Sequence, residues 1–273
     1  MFSREKIEYK SNDQIRAMRK AGLVVADIHT ALKEGARVGM TTKDLDDIAA
    51  GVLADHGAKS NFLGYYGYPG NICVSVNEEI VHGIPGDRVI GPEDIVSCDC
   101  GAVVDGWHGD ACVTLVMPEA SEEVRELSRR TETAMWTGIA ALATAKRIGE
   151  VGAAIEAYVD TLDNPPGIVE EYVGHGIGSA MHQPPDVVNY RPANLGAKIK
   201  PGLVVCVEPM LTVGSPANTT LADDWTVVTI DGSPACHWEH EVAVHKRGIW
   251  VLTAPDGGAA GLAPFGVTPV PLD

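Results

Sequence analysis

Aromatic residues and positive charge are both scarce in this chain. Phenylalanine occurs three times and aromatics make up 5% of the residues, so the 45% apolar fraction is mostly aliphatic and a ring-built core is excluded. Lys and Arg number 21 against 37 Asp and Glu. The resulting net charge of −16 argues against nucleic acid and anionic membrane as partners by bulk attraction. No run of apolar residues is long enough to span a bilayer. The first residues, Met1 to Glu8, lack the apolar stretch of a secretory signal. These absences predict a cytoplasmic protein. The six cysteines, Cys73, Cys98, Cys100, Cys112, Cys206 and Cys236, contain no C-x-x-C pair. They sit mostly in apolar runs, which predicts buried free thiols in a reducing compartment rather than a zinc knuckle or a disulfide frame.

What is present is strongly patterned. Ser11 to Gln14 has the form of a capping box, and Ile15, Met18, Gly22, Val25, Ile28 and Leu32 follow at helical spacing. Thr41 with Asp44 opens a second helix through Leu45, Ile48, Val52 and Leu53. Residues 60–70 form a loop rich in Gly and Tyr. Helices are predicted again over 121–145 and 149–162, and strands over 72–77, 203–208, 225–230 and 236–245. After Thr253 the chain turns to Pro, Gly and Ala, and 253–273 is read as a flexible, peripheral tail.

Residues 92–117 read as a β-hairpin. Asp105-Gly106 tolerates the positive φ of a type I′ turn. With those two residues as the loop, Asp99 faces Cys112, and Asp110 lies diagonally on the same face at roughly 7–8 Å. Two carboxylates among Val, Ile and Cys repel each other unless something positive sits between them. The second half of the chain echoes the first. Val81-His-Gly-Ile-Pro85 matches Gly174-His-Gly-Ile-Gly178, and the segment ending in Asp99 aligns on Pro201–Glu208. The repeat sets Asp99 opposite Glu208, and Asp110 opposite Glu239 or Glu241. Two pseudo-repeats, about 11–117 and 121–252, therefore form one domain over 1–252. The predicted class is α+β, with a largely antiparallel sheet of pseudo-twofold symmetry backed by four helices.

The carboxylates Asp99, Asp110, Glu208 and Glu239, with the single imidazole of His175, compose an oxygen-rich donor set. It suits two divalent ions of the Mn, Fe(II), Co or Zn kind. Such a pair acidifies a water and polarises a carbonyl. Taken singly, each residue has an ordinary structural explanation. Their joint symmetry does not.

The motifs Leu63-Gly-Tyr-Tyr-Gly-Tyr-Pro69, Val81-His-Gly-Ile-Pro85, Asp105-Gly-Trp-His-Gly-Asp110, Gly174-His-Gly-Ile-Gly178, Val207-Glu-Pro-Met210 and Glu239-His240 resemble those of the type I methionine aminopeptidases. The similarity runs over about residues 11–252. It implies the pita-bread fold and a metal site of Asp99, Asp110, His175, Glu208 and Glu239, with Glu208 also the general base. It implies that His82 and His182 contact the substrate peptide, and that Tyr65, Tyr68, Cys73, Met181 and Trp225 line the methionine pocket. The implied reaction is removal of the initiator methionine from nascent chains near the ribosome, with a small second residue preferred, by a monomer. Phe62 stands where many relatives carry cysteine, Met181 where many carry phenylalanine, and Glu241 where threonine is common. The first two bear on the pocket rim, the third on the charge of the site. The rivals are a proline-specific peptidase of the same fold and a non-catalytic binding protein built on it.

Overall fold

The structure is a computed structural model and describes residues 6–272. Residues 1–5, whose lack of an apolar core entered the reading above, lie outside the described part, as does Asp273.

Helix α1 (Asn12–Gly35) starts where the sequence places it. The Ser11 hydroxyl accepts from the Gln14 N–H, and the Gln14 side chain returns the bond to the Ser11 backbone. Ile15, Met18, Gly22, Val25, Ile28 and Leu32 are all buried. Thr41 and Asp44 make the second capping box, opening α2 (Thr42–Asp55). Helix α3 (Glu122–Leu142) is capped by Ser121, and α4 (Gly149–Val159) buries Val151 and Ile155. Each large aliphatic side chain so buried contributes about 1.5–3 kcal/mol.

The hairpin forms in the expected register. The Ile95–Val104 and Trp107–Val116 strands pair with Asp99 opposite Cys112 and Asp110 opposite Gly101. Asp105 and Gly106 both take positive φ, as a type I′ turn requires. The Ile72–Val76 strand lines the other edge of Ile95–Val104. Helix α1 lies against the hairpin so closely that a Cβ on Gly109 would fall 2.6 Å from the Gly22 nitrogen. Gly109 needs to be glycine for that approach, and Gly22 for another, since its Cβ would fall 2.3 Å from the Leu252 carbonyl oxygen.

Every strand pairing is antiparallel, but the described residues form four sheets rather than one continuous sheet. The hairpin sheet carries α1 and α2 over one apolar core, which includes Val25, Leu45, Val74 and Val113. The other large sheet has five strands, ordered Gly248–Val251, His240–His245, Val204–Val207, Gly174–Gly176, Gln183–Val187. With α3 and α4 it encloses the second core, which includes Met135, Ile155, Val205 and Val242. The two halves meet where the Glu239 and Cys112 backbones exchange hydrogen bonds at 3.1 and 3.3 Å.

Two expectations are corrected. The strand predicted over 236–245 divides into Ala235–His237 and His240–His245, because the backbone at Glu239 turns aside to pair with Cys112. Glu239 and Glu241 therefore do not share one strand face. The segment after Thr253 is not a loose tail. Leu262 and Leu272 are buried, and its backbone carbonyls satisfy side chains of the body. Arg19 donates to Ala254 and Pro255, Arg16 to Leu272, and Arg247 to Pro271, while His245 hydrogen-bonds to the Val270 carbonyl.

Candidate active site

The junction of the two halves encloses a cavity of about 260 Å³. The side chains of the expected site line it, Phe62, Tyr65, Tyr68, Cys73, His82, Asp99, Asp110, His175, Met181, His182, Glu208, Trp225 and Glu239, and the alternative Glu241 does not. The hairpin delivers Asp99 and Asp110, the Val204–Val207 strand ends at Glu208, Gly174–Gly176 carries His175, and the break before His240 presents Glu239.

One wall is acidic and has too few partners. Asp99 Oδ1, Asp110 Oδ1, Glu208 Oε1 and Glu239 Oε1 are buried without a hydrogen bond. Burial pushes the Asp99 carboxyl up to about 7. Burial, then the negative charges of Glu239 and Asp99, pushes Asp110 well above the usual carboxylate range. Glu208 is raised by burial and by Asp99 and Asp110, and Glu239 by burial and by Glu208 and Asp99. Convergent buried carboxylates with orphaned oxygens are costly unless cations lie among them.

The imidazole supports the same conclusion. His175 Nδ1 lies 3.0 Å from the Gly176 carbonyl, which can only accept, so that nitrogen carries the hydrogen. Burial, with the neighbouring His182, pulls the ring down to about 3 and keeps it neutral. Its Nε2 lone pair then faces Glu208 Oε1 at 3.4 Å. Two acceptors so placed need a cation or a proton between them. The ligand atoms of Asp110, His175, Glu239 and Cys206 all lie within 4.8 Å of one another. Four carboxylates and an imidazole fit divalent metal ions, and the residues present suit the group.

The opposite wall is apolar. Phe62, Tyr68, Cys73 and Met181 form a buried cluster, with Tyr65, Ile84 and Trp225 packed against it. The Tyr68 ring meets Trp225 edge-on at 5.0 Å and Phe62 at 6.3 Å. Its hydroxyl donates to the Gly83 carbonyl at 2.8 Å. The loop holding these rings is pinned from α2. Buried Asp46 accepts from the Asn71 N–H at 2.6 Å and the Ile72 N–H at 3.1 Å.

Two histidines complete the cavity. His82 sits at φ 61°, a conformation rare outside glycine, which points its ring between Tyr172 and Trp225. Burial, with His182 nearby, pulls it down to about 4. His182 Nδ1 is 2.8 Å from the Tyr65 hydroxyl, and its ring lies 4.3 Å from that of His175. His108, assigned no role, is a satisfied histidine bonded to Asn61.

The sequence reading missed several lining residues. Tyr66, Val81, Tyr172, Val173, Met210 and His237 also border the cavity. Buried His237 reaches within 4.0 Å of Glu239. Tyr172 and His237 had no local signal. Cys206 had one, because a residue two before Glu208 on a strand shares its face. Glu241, fully buried, lies behind the wall and accepts from the Asp110 N–H at 3.3 Å.

A sequence model of metallopeptidase family M24 matches residues 16–246. The chain is 42% identical over 244 residues to methionine aminopeptidase 1 of Bacillus subtilis (strain 168), covering 89% of this chain and 98% of that one. It is 42% identical over 255 residues to methionine aminopeptidase 1 of Mycobacterium tuberculosis, covering 92% and 96%. The crystal structure of methionine aminopeptidase from Thermotoga maritima superposes with a TM-score of 0.87 at 34% identity, covering 91% of this chain and 99% of that one.

Proposed function

Because the chain belongs to metallopeptidase family M24, among the methionine aminopeptidases, we propose that it removes the N-terminal methionine from nascent polypeptides. Its fold is the pita-bread aminopeptidase fold. The observation that carries the proposal is the pairing, in one cavity, of four orphaned buried carboxylates with an aromatic and sulfur-lined pocket.

Asp99, Asp110, His175, Glu208 and Glu239 are the residues that would hold two divalent ions drawn from Mn, Co, Fe(II) or Zn. Bound there, the ions supply Lewis acidity, which polarises the scissile carbonyl and acidifies a water. The chain's own side chains do the rest. Glu208, whose carboxyl is raised by burial and by Asp99 and Asp110, takes a proton from the attacking water and passes it to the leaving amine. His82 and His182 are held neutral by burial. They hydrogen-bond the substrate peptide and favour the charge that develops on its carbonyl oxygen. The cluster of Phe62, Tyr65, Tyr68, Cys73, Met181 and Trp225 seats the methionine side chain, whose contact with each ring is worth about 0.3–1.5 kcal/mol. The free α-amine is drawn to the acidic wall, which makes the enzyme an exopeptidase. The crowding of histidines and carboxylates favours a small second residue.

Among the described residues no helix is long and apolar enough to cross a membrane. The proposal places the enzyme in the cytoplasm as a monomer that meets chains as they leave the ribosome.

The test is to measure metal content and product release together. Metal-reconstituted protein should release methionine from Met-Ala-Ser and leave N-acetyl-Met-Ala-Ser intact. Full metal occupancy without release would refute the proposal.

A further inference from the structure

The loop 178–183 carries Met181 and His182 into the cavity but lies outside any helix or strand until Gln183. It is fastened from outside by the segment that precedes α1. Glu8 Oε2 accepts from the Ser179 N–H at 3.0 Å and from Gln183 Nε2 at 2.8 Å, and Oε1 accepts from the Ser179 hydroxyl at 2.8 Å. The Lys10 ammonium donates to Gln183 Oε1 at 3.0 Å and lies 3.5 Å from Glu8. Gln183 is thus gripped at both ends of its amide. The Lys10 N–H donates to the Gly202 carbonyl at 2.7 Å, which ties the segment to the body.

The fit is tight. A Cβ on Gly178 would fall 2.2 Å from Lys10 Cε and 2.3 Å from Glu8 Oε2. The Lys10 side chain is 2% exposed. A lysine buried so deeply needs its anionic and amide partners in place, so the clasp is either whole or broken. Ala180, Met181 and His182 are the residues between the two that Glu8 holds, Ser179 and Gln183. The His182 ring is further held by the Tyr65 hydroxyl and packs 4.3 Å from the His175 ring, and the His108 N–H donates to the Gly178 carbonyl at the start of the loop at 3.0 Å.

We propose that residues 8–10 act as a strap that positions His182 and Met181 for catalysis, with Glu8 and Lys10 as positioning residues that touch no substrate. The inference rests on the activity proposed above. The strap acts on kcat through His182, so its contribution to kcat vanishes when that imidazole is gone, while its hold on Met181 is read in KM.

The experiment is a double-mutant cycle on the full chain, metal-reconstituted, with Met-Ala-Ser as substrate. Glu8→Ala, His182→Ala and the double variant are compared for kcat, KM, metal content and thermal midpoint. Glu8→Ala should lower kcat between tenfold and about 100-fold, the scale of a ~1 Å misplacement, with metal content unchanged. In the His182→Ala background the same change should alter kcat by less than about twofold. Glu8→Gln keeps an oxygen for the Ser179 N–H, serves where the alanine variant fails to fold, and should recover part of the loss. Equal losses in both backgrounds, no loss in either, or loss of metal from the Glu8 variant would overturn the strap. If the wild-type protein releases no methionine, the proposed activity fails first and the strap falls with it.

Discussion

Glu239 and Glu241 are both buried and two residues apart, and replacing each in turn separates a metal ligand from its support. Glu239 lines the cavity with an orphaned Oε1, among the convergent charges of Asp99 and Glu208. Glu241 does not line it. Burial raises its carboxyl, while the Asp110 N–H and the charges of Lys10 and Arg19 draw it back. Glu239→Gln keeps the volume and removes one charge. Breaking one side of a buried charge pairing costs about 3–5 kcal/mol, and 3 kcal/mol is about 160-fold in an equilibrium constant. Metal affinity should fall by about two decades or more, and turnover with it. In Glu241→Gln an amide oxygen still faces the Asp110 N–H at the 3.3 Å position. The charge-assisted part of one bond is lost, about 1 kcal/mol, or about fivefold, and the lost attraction of Lys10 and Arg19 is set against the relieved repulsion of Asp110 and Glu239. Titrating each metal-stripped variant with Mn(II) while following Met-peptide hydrolysis reads both effects. The reverse pattern would make Glu241 the ligand and refute the assignment.

Further outcomes follow from the same geometry. Asp110→Asn should abolish turnover in metal-replete protein, since it would replace an anionic donor of the acidic wall by a neutral amide, while circular dichroism shows the hairpin intact. His182→Ala should lower kcat far more than metal content. Stoichiometric loss of metal would instead make His182 a ligand. In metal-stripped protein the Asp99 carboxyl favours the folded state in acid. The folded carboxyl of Asp99 is raised from 3.8 to about 7, so its contribution is fully present below pH 3.8 and lost as pH rises through about 7. The buried neutral histidines pull the other way as pH falls below 6.5, so the contribution is read as a difference: over that window the thermal midpoint of the wild-type protein should fall relative to that of Asp99→Asn, and saturating Mn(II) should flatten the difference.

Much of the site was legible because its geometry is set locally. The Asp105-Gly106 turn fixes the hairpin register, and the register fixes which face Asp99 and Asp110 share. The capping residues Ser11 and Thr41 are local signals and mark the starts of α1 and α2 within a residue. What could not be read is set by distant partners. The chain breaks its strand at Glu239 because Cys112, far away in sequence, takes both backbone bonds. Nothing near Glu239 encodes that. The terminal segment misled for a similar reason. Its Pro, Gly and Ala composition promises no packed face, yet its carbonyls complete the donors of Arg16, Arg19, His245 and Arg247, and Gly261 lies flush on Trp136. Asp99 and Asp110 were found through the hairpin register, Glu208 through the repeat, and Glu239 through the Glu239-His240 pair of the resemblance, since the repeat alone left Glu241 open. Tyr172 and His237 were not, because each enters the cavity from a segment with no motif of its own.

The central claim is that this cavity removes methionine by metal-dependent hydrolysis, and one measurement tests it most directly. Initial rates are taken on Met-Gly and Met-Pro peptides and on a matched Leu-Gly peptide, with stripped protein and with defined additions of Mn(II), Co(II), Fe(II) or Zn(II). The account predicts no turnover without metal and release of free methionine with it. The leucine peptide should be cut far more slowly, because the pocket of Tyr68, Cys73, Met181 and Trp225 selects the first residue. Metal-replete protein that leaves Met-Gly peptides intact, or that cleaves before proline whatever residue comes first, would contradict it.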